Sequence, residues 1–404
     1  MGEQKKLFAD LHIHSRFSRA CSKDLNLKNL VKWAKVKGIS LLGSGDFTHP
    51  EWLKELKEGL VEDEVKKGIY WYNLDGDKFP FILSHEISLV YTQDRKGRRV
   101  HLIYLVPSFE VVDKINNWLD GLGRRDYDGR PIFKISCRDF VAKMEEIDDK
   151  IEVIPAHIWT PYFGVFGSRG GFDSLEEAFG DKVNRIHAIE TGISSDPKMN
   201  CKIKELRDRN ISIVSFSDAH SYWPWRLGRE VTIFRGDNLS YDEIIRQIRK
   251  NDFLGTIETD PAYGKYHFDG HAVCGFSCSF EESLRLNGLC PKCSRKLVIG
   301  VENRVEKLGD KGSCDKKYYT LLPLHEILAL GLRCGMNTKK VWEVYNLLIE
   351  KFGNEFKILL EVSEEELREV LEEGLVELVL KNRRGEIKVK PGYDGVYGVA
   401  LLDE

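Results

Sequence analysis

A series of short apolar runs, each followed by a histidine or a carboxylate, constrains the fold of this chain more than any other feature. The first run leads into Asp10-Leu11-His12-Ile13-His14, and a distant one, residues 211–216, leads into Ser217-Asp218-Ala219-His220. Alternate residues of a strand face the same side, so His12 and His14 project together and can grip one divalent cation. The recurrence of this arrangement at two distant strand ends indicates a shared metal site.

Up to about residue 257, β-rich runs alternate with amphipathic helical patterns, which predicts parallel α/β units. One helical stripe, formed by Leu27, Leu30, Val31 and Ala34, ends at Gly38, a residue typical of helix stops. Polar residues at the C-terminal ends of successive strands are what an active site on a β/α barrel requires. The number of these units, roughly six or seven, favours a barrel over an open sheet.

Further histidines and carboxylates follow the other runs and complete a set of candidate metal ligands: His12, His14, Asp46, His49, Glu86, His101, His157, Asp218 and His220. This mixture of imidazoles and carboxylates suits divalent metals, and the set exceeds the needs of one ion. We therefore expect roughly two or three divalent cations (zinc, manganese or magnesium), with Glu86 able to bridge. A structural role as strand cap or core residue is an equal alternative for His49 and His101.

Three neighbouring residues have other interpretations. His85 and His187 each precede a better candidate and would point to the opposite face of their strand, which favours structural roles. Glu190 is either an acceptor behind a metal-binding histidine or a turn residue within Glu-Thr-Gly.

Four clustered cysteines, Cys274, Cys278, Cys290 and Cys293, predict a structural zinc site. A short polar spacer separates the two pairs, which is the layout of a tetrahedral site that is closed to substrate. His271 is a weaker substitute ligand. The odd total of 9 cysteines and this clustering favour a reducing cytosol. The other cysteines are scattered and predicted to be inert: Cys21, Cys137, Cys201, Cys314 and Cys334.

Composition predicts three parts: a barrel over residues 1–262, a four-cysteine zinc module over 263–305 and a mainly helical C-terminal domain over 306–404. Ser363-Glu-Glu-Glu366 predicts a capping box that starts a helix within the third part.

The charge balance narrows the classes of partner. A net charge of −3 with 31% charged residues excludes a globally basic nucleic-acid binder, so any DNA contact must use local patches. No run reaches membrane-spanning length and the first residues lack the apolar core of a signal peptide, so we expect a cytoplasmic protein without membrane contact. The abundance of Lys and Glu, with glutamine only at positions 4, 93 and 247, resembles a heat-adapted composition.

Aromatic and small polar residues crowd the same strand ends. As a group beside a metal centre, the aromatic residues could stack on a flipped base, although loop packing is the ordinary role of each. Ser168 and Arg169, followed by two glycines, could hold a phosphate. The basic run at residues 124–130 is a second candidate DNA contact, with a solvated loop as the default interpretation. The proposed base-binding aromatics are Trp159, Tyr162, Phe163, Phe166, Trp223 and Trp225.

The order and type of the strand-end ligands resemble those of the PHP (polymerase and histidinol phosphatase) phosphoesterase superfamily. Segments 45–50, 156–163 and 190–197, with the four-cysteine module, narrow the resemblance to the archaeal endonuclease Q family. The resemblance implies a distorted (β/α)7 barrel with metals at the C-terminal strand ends. Many superfamily members have Asp-His where this chain has Asp46-Phe-Thr-His49, and Ala20 stands where some carry another histidine. The implied metal ligands are His12, His14, Asp46, Glu86, His157, Asp218 and His220.

The endonuclease Q resemblance also implies an activity: DNA repair by cleavage on the 5′ side of uracil, hypoxanthine, xanthine or an abasic site. On this interpretation the zinc module and helical region grip DNA while a metal-activated hydroxide attacks phosphorus. Asp218, His12 and Arg169 are then the catalytic candidates, with Arg169 neutralising the developing charge. Some archaeal members end in a sliding-clamp-binding peptide. Residues 401–404 lack such a glutamine-containing motif, so that contact is not predicted.

Two other functions fit part of the pattern. A PHP-type phosphatase acting on small phosphate esters could use the same ligand set, but such an ester needs neither the cysteine module nor the C-terminal region. A DNA-binding or polymerase-accessory protein with a decayed centre is the second alternative, and the nearly complete ligand set argues against it.

Overall fold

The computed structural model describes residues 5–402. Residues 1–4 and 403–404, which belong to the segments considered above for a leader and a clamp-binding tail, lie outside the described residues. The strands are β1 (Lys6–Asp10), β2 (Leu41–Gly43), β3 (Leu60–Glu62), β4 (Tyr70–Leu74), β5 (Asp77–Gln93), β6 (Lys96–Val106), β7 (Ile132–Phe133), β8 (Glu152–Pro155), β9 (Ala188–Glu190), β10 (Ser212–Val214), β11 (Val231–Arg235), β12 (Gly255–Glu258), β13 (Asp269–His271), β14 (Phe276–Cys278), β15 (Tyr318–Thr320), β16 (Val389–Lys390) and β17 (Val399–Ala400).

The helices alternate with these strands in the first part and follow one another near the end of the chain. They are α1 (Leu27–Lys37), α2 (Pro50–Gly59), α3 (Phe109–Asp120), α4 (Cys137–Ile147), α5 (Leu175–Phe179), α6 (Pro197–Asn200), α7 (Lys204–Asp208), α8 (Tyr241–Lys250), α9 (Phe280–Arg285), α10 (Val301–Leu308), α11 (Leu324–Gly331), α12 (Lys339–Phe352), α13 (Glu355–Leu360), α14 (Glu364–Arg368) and α15 (Glu373–Arg383). No helix within residues 5–402 combines the length and apolar character that a bilayer crossing needs.

Neighbouring strands bring their ends to one rim. β1 pairs in parallel with β2, and β2 pairs in parallel with β5. β6 lies between β5 and β8, and β9 pairs in parallel with β10. A parallel bridge between Ile13 and Ala219 joins the segments that follow β1 and β10. The mixed α/β class is therefore as predicted, and the two motifs noticed first in the sequence lie side by side.

The sheet departs from the expected parallel units at several antiparallel pairs, which include β1–β11 and β6–β8, and most extensively at β5 and β6. These two long strands are antiparallel and are joined by Asp94 and Arg95, whose φ angles are 52° and 61°. Two consecutive residues with positive φ form the turn type that connects antiparallel strands directly. The sequence pattern missed this hairpin because it shows alternation and apolar runs but not strand direction.

Two local helix signals of the sequence are confirmed. Gly38 ends α1 in the left-handed conformation, with φ of 98°. Ser363 and Glu366 form the predicted capping box at the start of α14, each accepting from the other's backbone N–H. Both signals depend on neighbours in the chain and so need no tertiary context.

Several contacts cross the predicted domain boundaries. β15 pairs in parallel with β12 and thereby extends the main sheet. The Gly-rich end of the chain returns to the segment after β12, where Gly392 and Gly398 donate to the carbonyls of Ala262 and Tyr263. The three-part division stays a prediction, and the parts are closely joined.

One prediction about cysteines is wrong. Cys201 and Cys314 form a disulfide with their Cα atoms 5.5 Å apart, although both were expected to be inert thiols. The two residues are 113 positions apart, so nothing in the local sequence brings them together. The bond joins the end of α6 to the segment that follows α10.

A buried ion pair fastens the C-terminal helices to α1. Lys37 donates to Glu355 over 2.6 Å and to the Pro224 carbonyl over 2.7 Å. Glu355 also accepts from the Leu324 backbone N–H and the Tyr345 hydroxyl, each over 2.9 Å. This buried pair therefore joins α1, α11, α12, α13 and the loop after β10 at one point.

We predict that Lys37→Met lowers the free energy of unfolding by about 3–5 kcal/mol, because it leaves the Glu355 carboxylate buried without its cation. The double variant Lys37→Met/Glu355→Gln should lose less than the single variant. Lys35→Met, which removes an exposed pairing with Asp77, should change stability by less than about 1 kcal/mol. Chemical denaturation followed by tryptophan fluorescence measures all three, and equal losses at Lys35 and Lys37 would contradict the prediction.

Candidate metal centre

Two groups of potential metal ligands lie at the rim. The first contains His12, His14, Glu86 and Asp218, and the second contains Glu86, His101 and His157. Within each group the nearest ligand atoms lie within 4.8 Å of one another. Glu86 belongs to both, so one carboxylate faces two sites. The donor set of imidazoles and carboxylates fits two adjacent divalent cations with Glu86 between them.

The two oxygens of Glu86 divide between these groups. Oε1 lies 2.9 Å from Nδ1 of His101 and 3.0 Å from Nε2 of His157. Oε2 lies 3.3 Å from Nε2 of His14 and 3.5 Å from Nε2 of His12. His101, for which a structural role was the equal alternative, therefore lies among the site residues.

His12 is oriented by Glu190. Its Nδ1 donates to Oε1 of Glu190 over 2.8 Å, which turns Nε2 toward the first group. Nε2 is buried and has no hydrogen-bond partner among the described residues. Oε2 of Glu190 accepts from the His157 backbone N–H over 2.7 Å. Of the two interpretations of Glu190, the structure shows the acceptor behind a candidate ligand, and it supports both groups.

Asp46 lies behind His14 instead of joining either group. Its Oδ1 accepts from Nδ1 of His14 over 2.9 Å. Its Oδ2 accepts from the Ser15 backbone N–H and hydroxyl, both at 2.6 Å, and from Ser18 at 2.9 Å. With both oxygens engaged, Asp46 fixes the orientation of His14, and this placement differs from the expected role as a ligand.

Two further candidates lie outside both groups. His49 precedes α2 and stacks on Phe17 with ring centroids 4.2 Å apart. His220 lies nearer, with its ring 4.6 Å from that of His14 and its Nδ1 directed at the Asp218 carbonyl. The structural interpretation thus describes His49 better, whereas His220 borders the first group.

The histidines predicted to be structural have the expected contacts. His85 is buried, and its Nε2 lies 3.1 Å from the Thr48 hydroxyl. His187 donates to Glu152 over 2.9 Å. Neither belongs to a ligand group among the described residues.

The backbone at the rim adopts an unusual conformation. Asp46, His157 and Asp218 have φ angles of 43°, 30° and 48°, in a region that residues with a side chain seldom occupy. Such strain costs about 1–3 kcal/mol per residue and persists only where surrounding structure enforces it. Here it turns three polar side chains toward the site as each strand ends.

Arg130 is a site residue that the sequence interpretation did not place. It comes from the basic run, whose default role was a solvated loop, yet its Nη1 donates to Oε2 of Glu86 over 2.7 Å. Gly129 permits this approach, because a Cβ there would lie 2.3 Å from both Asp46 Oδ2 and the Ser18 hydroxyl. Burial alone would raise the pKa of Glu86, but Arg130 and the imidazoles hold it well below its usual range.

Arg169 and Ser168 are not at the centre. Arg169 is exposed, and the Ser168 hydroxyl donates to the Ile299 carbonyl. The described cation that pairs with Glu86 is Arg130 instead. The sequence signal for this role was Gly129, because a glycine allows the backbone next to Arg130 to approach the site closely.

The proposed base-binding aromatics separate by burial. Trp159 and Phe166 are 0% exposed, and the Trp159 indole donates to Asn200, so both are core residues that cannot stack on a base. Trp225 is also buried. Three remain accessible: Tyr162 is exposed, and Phe163 and Trp223 are half-buried.

The accessible aromatics have defined neighbours. Phe163 stacks on His101 with centroids 4.2 Å apart, which places it directly beside the second group. Trp223 stacks parallel to Trp225 at 5.4 Å. Trp225 in turn contacts His325 and Trp342 of the C-terminal helices.

The cysteine module differs from its prediction at one position. His271, Cys274, Cys290 and Cys293 lie with their ligand atoms within 4.8 Å of one another. Cys278 instead packs into a small apolar cluster with Leu297. In the hairpin, Cys278 pairs with Asp269 while His271 lies next to the turn that carries Cys274. His271, named as the weaker substitute, therefore takes the place that was assigned to Cys278.

Comparisons with known proteins match both the C-terminal helices and the whole chain. A family model described as the MJ0043 C-terminal domain matches residues 323–386. The uncharacterized protein MJ0043 of Methanocaldococcus jannaschii is 32% identical over 290 residues, which cover 69% of this chain. This chain spans 34% of that longer protein. The uncharacterized protein YqxK of Bacillus subtilis is 27% identical over 98% of this chain and 99% of its own length.

Two solved structures superpose on almost the entire chain. The crystal structure of the lesion-specific endonuclease PfuEndoQ from Pyrococcus furiosus has a TM-score of 0.86 and 30% identity, covering 99% of this chain and 96% of that one. An endonuclease Q complex with a 27-mer duplex substrate, which has an abasic lesion at the active site, also gives a TM-score of 0.86 and 30% identity. It covers 99% of this chain and 97% of that one. The chain therefore belongs to the endonuclease Q family.

Proposed function

We propose that this protein is a DNA-repair endonuclease that hydrolyses the phosphodiester on the 5′ side of a deaminated base or an abasic site. The observation that carries the proposal is that two groups of candidate metal ligands share Glu86. The fold that holds them superposes on an endonuclease Q in complex with abasic DNA. Uracil, hypoxanthine and xanthine are the proposed deaminated bases. The proposed scaffold is a distorted (β/α)7 barrel.

Divalent cations held by the two groups would supply an activated water and clamp the oxygens of the phosphodiester. The protein holds the ligands in place before any cation binds. Glu190 fixes the His12 tautomer through Nδ1, and Asp46 does the same for His14. Asp218 is 28% exposed at its side chain, the most open member of the first group. Substrate therefore approaches from the Asp218 side.

Arg130 takes the electrostatic role that was expected of Arg169. A guanidinium presents several donors in a fixed fork that matches the oxygens of a phosphate. Arg130 reaches Glu86 from a loop over the rim and keeps 24% of its side chain exposed. We propose that it donates to the phosphodiester next to Glu86 and stabilises negative charge that develops during cleavage.

The lesion itself would be held by the accessible aromatic residues near the centre. Phe163 and Tyr162 lie on the segment that follows His157, and Phe163 borders the second group. A base that is damaged or missing costs less to extrude from the duplex than a paired one, and an aromatic ring can stack on the extruded base. Phe163 is the proposed contact nearest to the metals.

End-labelled duplexes that contain uracil, hypoxanthine or an abasic site test the function with Mg²⁺ or Mn²⁺. We expect a cut on the 5′ side of each lesion and no cut in the undamaged duplex. Asp218→Ala should abolish cleavage and leave lesion binding, measured by fluorescence anisotropy, largely intact. His187→Ala, a structural histidine, should stay active. Turnover of phosphate monoesters with no effect of lesions would favour the small-ester phosphatase instead.

Replacing Arg130 tests the electrostatic role. We expect Arg130→Ala to lower kcat by about 100–1000-fold with an unchanged metal content, and Arg130→Lys to recover part of the loss. Arg124→Ala is the matched control, because that arginine lies in the same loop and pairs with Asp126 on the surface. Loss of bound metal in Arg130→Ala, or an equal effect at Arg124, would show that the loop acts only structurally.

The cysteine module is proposed to hold one structural zinc through His271, Cys274, Cys290 and Cys293. Elemental analysis should find this zinc in the purified protein, and His271→Ala and Cys293→Ser should lower its amount. Cys278→Ser should retain the zinc, since that thiol lies in the apolar cluster. The opposite pattern, loss at Cys278 and none at His271, would restore the four-cysteine set.

A further inference from the structure

A polar cavity is lined in part by β6, the strand that also carries His101. It has a volume of about 470 Å³ and opens between the β5–β6 hairpin, the segment 167–173 and α10. Its polar wall includes Lys96, Arg98, Ser168, Asn303, Arg304 and Lys307. It contains Ser168 and the two glycines after Arg169. The sequence predicted phosphate binding for this segment, and the metal centre does not include it.

Two arginines of this cavity are held rigidly. Arg98 is 3% exposed, donates to the Gly171 carbonyl and pairs with Glu177 at 2.6 Å, and its Nε has no partner among the described residues. Arg304 donates to the Phe166 carbonyl over 3.0 Å and pairs with Asp173 at 2.8 Å. The guanidinium positions are therefore fixed before any ligand arrives.

The lysines leave an excess of positive charge. Lys96 and Lys307 have no ion-pair partner within the described part of the chain, although both act on the Asp173 carboxylate from a distance. The four cations of the wall face two carboxylates, Asp173 and Glu177. A cavity with this excess and an unpartnered buried N–H attracts an anion of low charge.

The cavity and the metal centre share one strand. Arg98 and His101 both lie on β6, three residues or about 10 Å apart. The segment after His157 is hydrogen-bonded to the same strand. The backbone N–H of His101 donates to the Phe163 carbonyl, and that of Arg99 donates to the Gly170 carbonyl. Residues three apart point to opposite faces of a strand, and the cavity shares no residue with either ligand group, so the two sites are separate.

We propose that this cavity binds a backbone phosphate of the DNA strand that is cut, a few nucleotides from the scissile bond; this inference rests on the proposed endonuclease function. The backbone positions of Arg98 and His101 are about 10 Å apart and their side chains diverge, so the contacted phosphate is separated from the scissile one by a few nucleotides. A phosphodiester carries one negative charge, which the excess of cations in the wall attracts. The contact sets the register of the strand while the centre performs the cleavage.

The test uses the double variant Lys96→Ala/Lys307→Ala on a lesion duplex. We expect an unchanged kcat at saturating DNA, a KM raised about 10-fold or more, and a slope of log affinity against log salt that falls by roughly one, because one phosphate contact is lost. Lys66→Ala/Lys250→Ala is the matched control, since both lysines are exposed, have no ion-pair partner among the described residues and lie outside the cavity. It should leave KM and the salt dependence unchanged.

Neutral methylphosphonate linkages, placed singly at each of the nucleotides flanking the cut, locate the contact. In the wild-type protein, one position about two to four nucleotides away should raise KM, and the same substitution should have little further effect in the double variant. Additive effects would overturn the proposal. Inhibition by inorganic phosphate that the double variant removes, without any methylphosphonate effect, would assign the cavity to a free ion and also overturn it. If the wild-type protein cuts no lesion duplex, the proposed function fails, whereas normal cutting with an unaltered double variant rejects only the cavity.

Discussion

The Glu86 carboxylate is the constraint around which the rest of the rim is arranged. An ionised carboxylate is stable in a protein interior only when cations and donors replace its water. Here imidazoles approach both oxygens and Arg130 completes the second one, so polar partners converge on Glu86 from the segment after β1, from β6, from the segment after β8 and from a distant loop. The strained backbone at the strand ends and the close approach of Gly129 both serve that convergence.

Local sequence could predict the parts of this arrangement that depend on periodicity. Apolar runs and alternation identify β1 and the strands that deliver Glu86 and His157, because a strand exposes its pattern within a few residues. The relation between the two first motifs also followed, since C-terminal strand ends meet at one rim. Gly38 and the Ser363 capping box were predictable because caps are decided by adjacent residues.

The features that could not be predicted depend on contacts between segments that are far apart in the sequence. Asp46 could bind a metal itself or orient His14 through a hydrogen bond. The choice depends on the distance between the two side chains, which the order of residues does not reveal. Cys278 and His271 differ in role because of the hairpin register, and the Cys201–Cys314 bond spans 113 positions. Trp159 and Phe166 looked like the neighbouring aromatics in sequence, but the segment folds them inward, which only the tertiary packing decides.

The Lys37–Glu355 pair has a consequence for how the molecule meets its substrate. It fastens the C-terminal helices directly to α1, the helix that follows the His12 and His14 segment, and to the loop after Asp218. A change in the angle between these helices and α1 would have to break this buried pair, at a cost of about 3–5 kcal/mol. Under the proposed function, this junction favours deformation of the duplex over closure of the protein, and a duplex deforms most easily where a base is mispaired or missing. The cost of deforming the DNA would then contribute to the choice of a lesion over undamaged DNA.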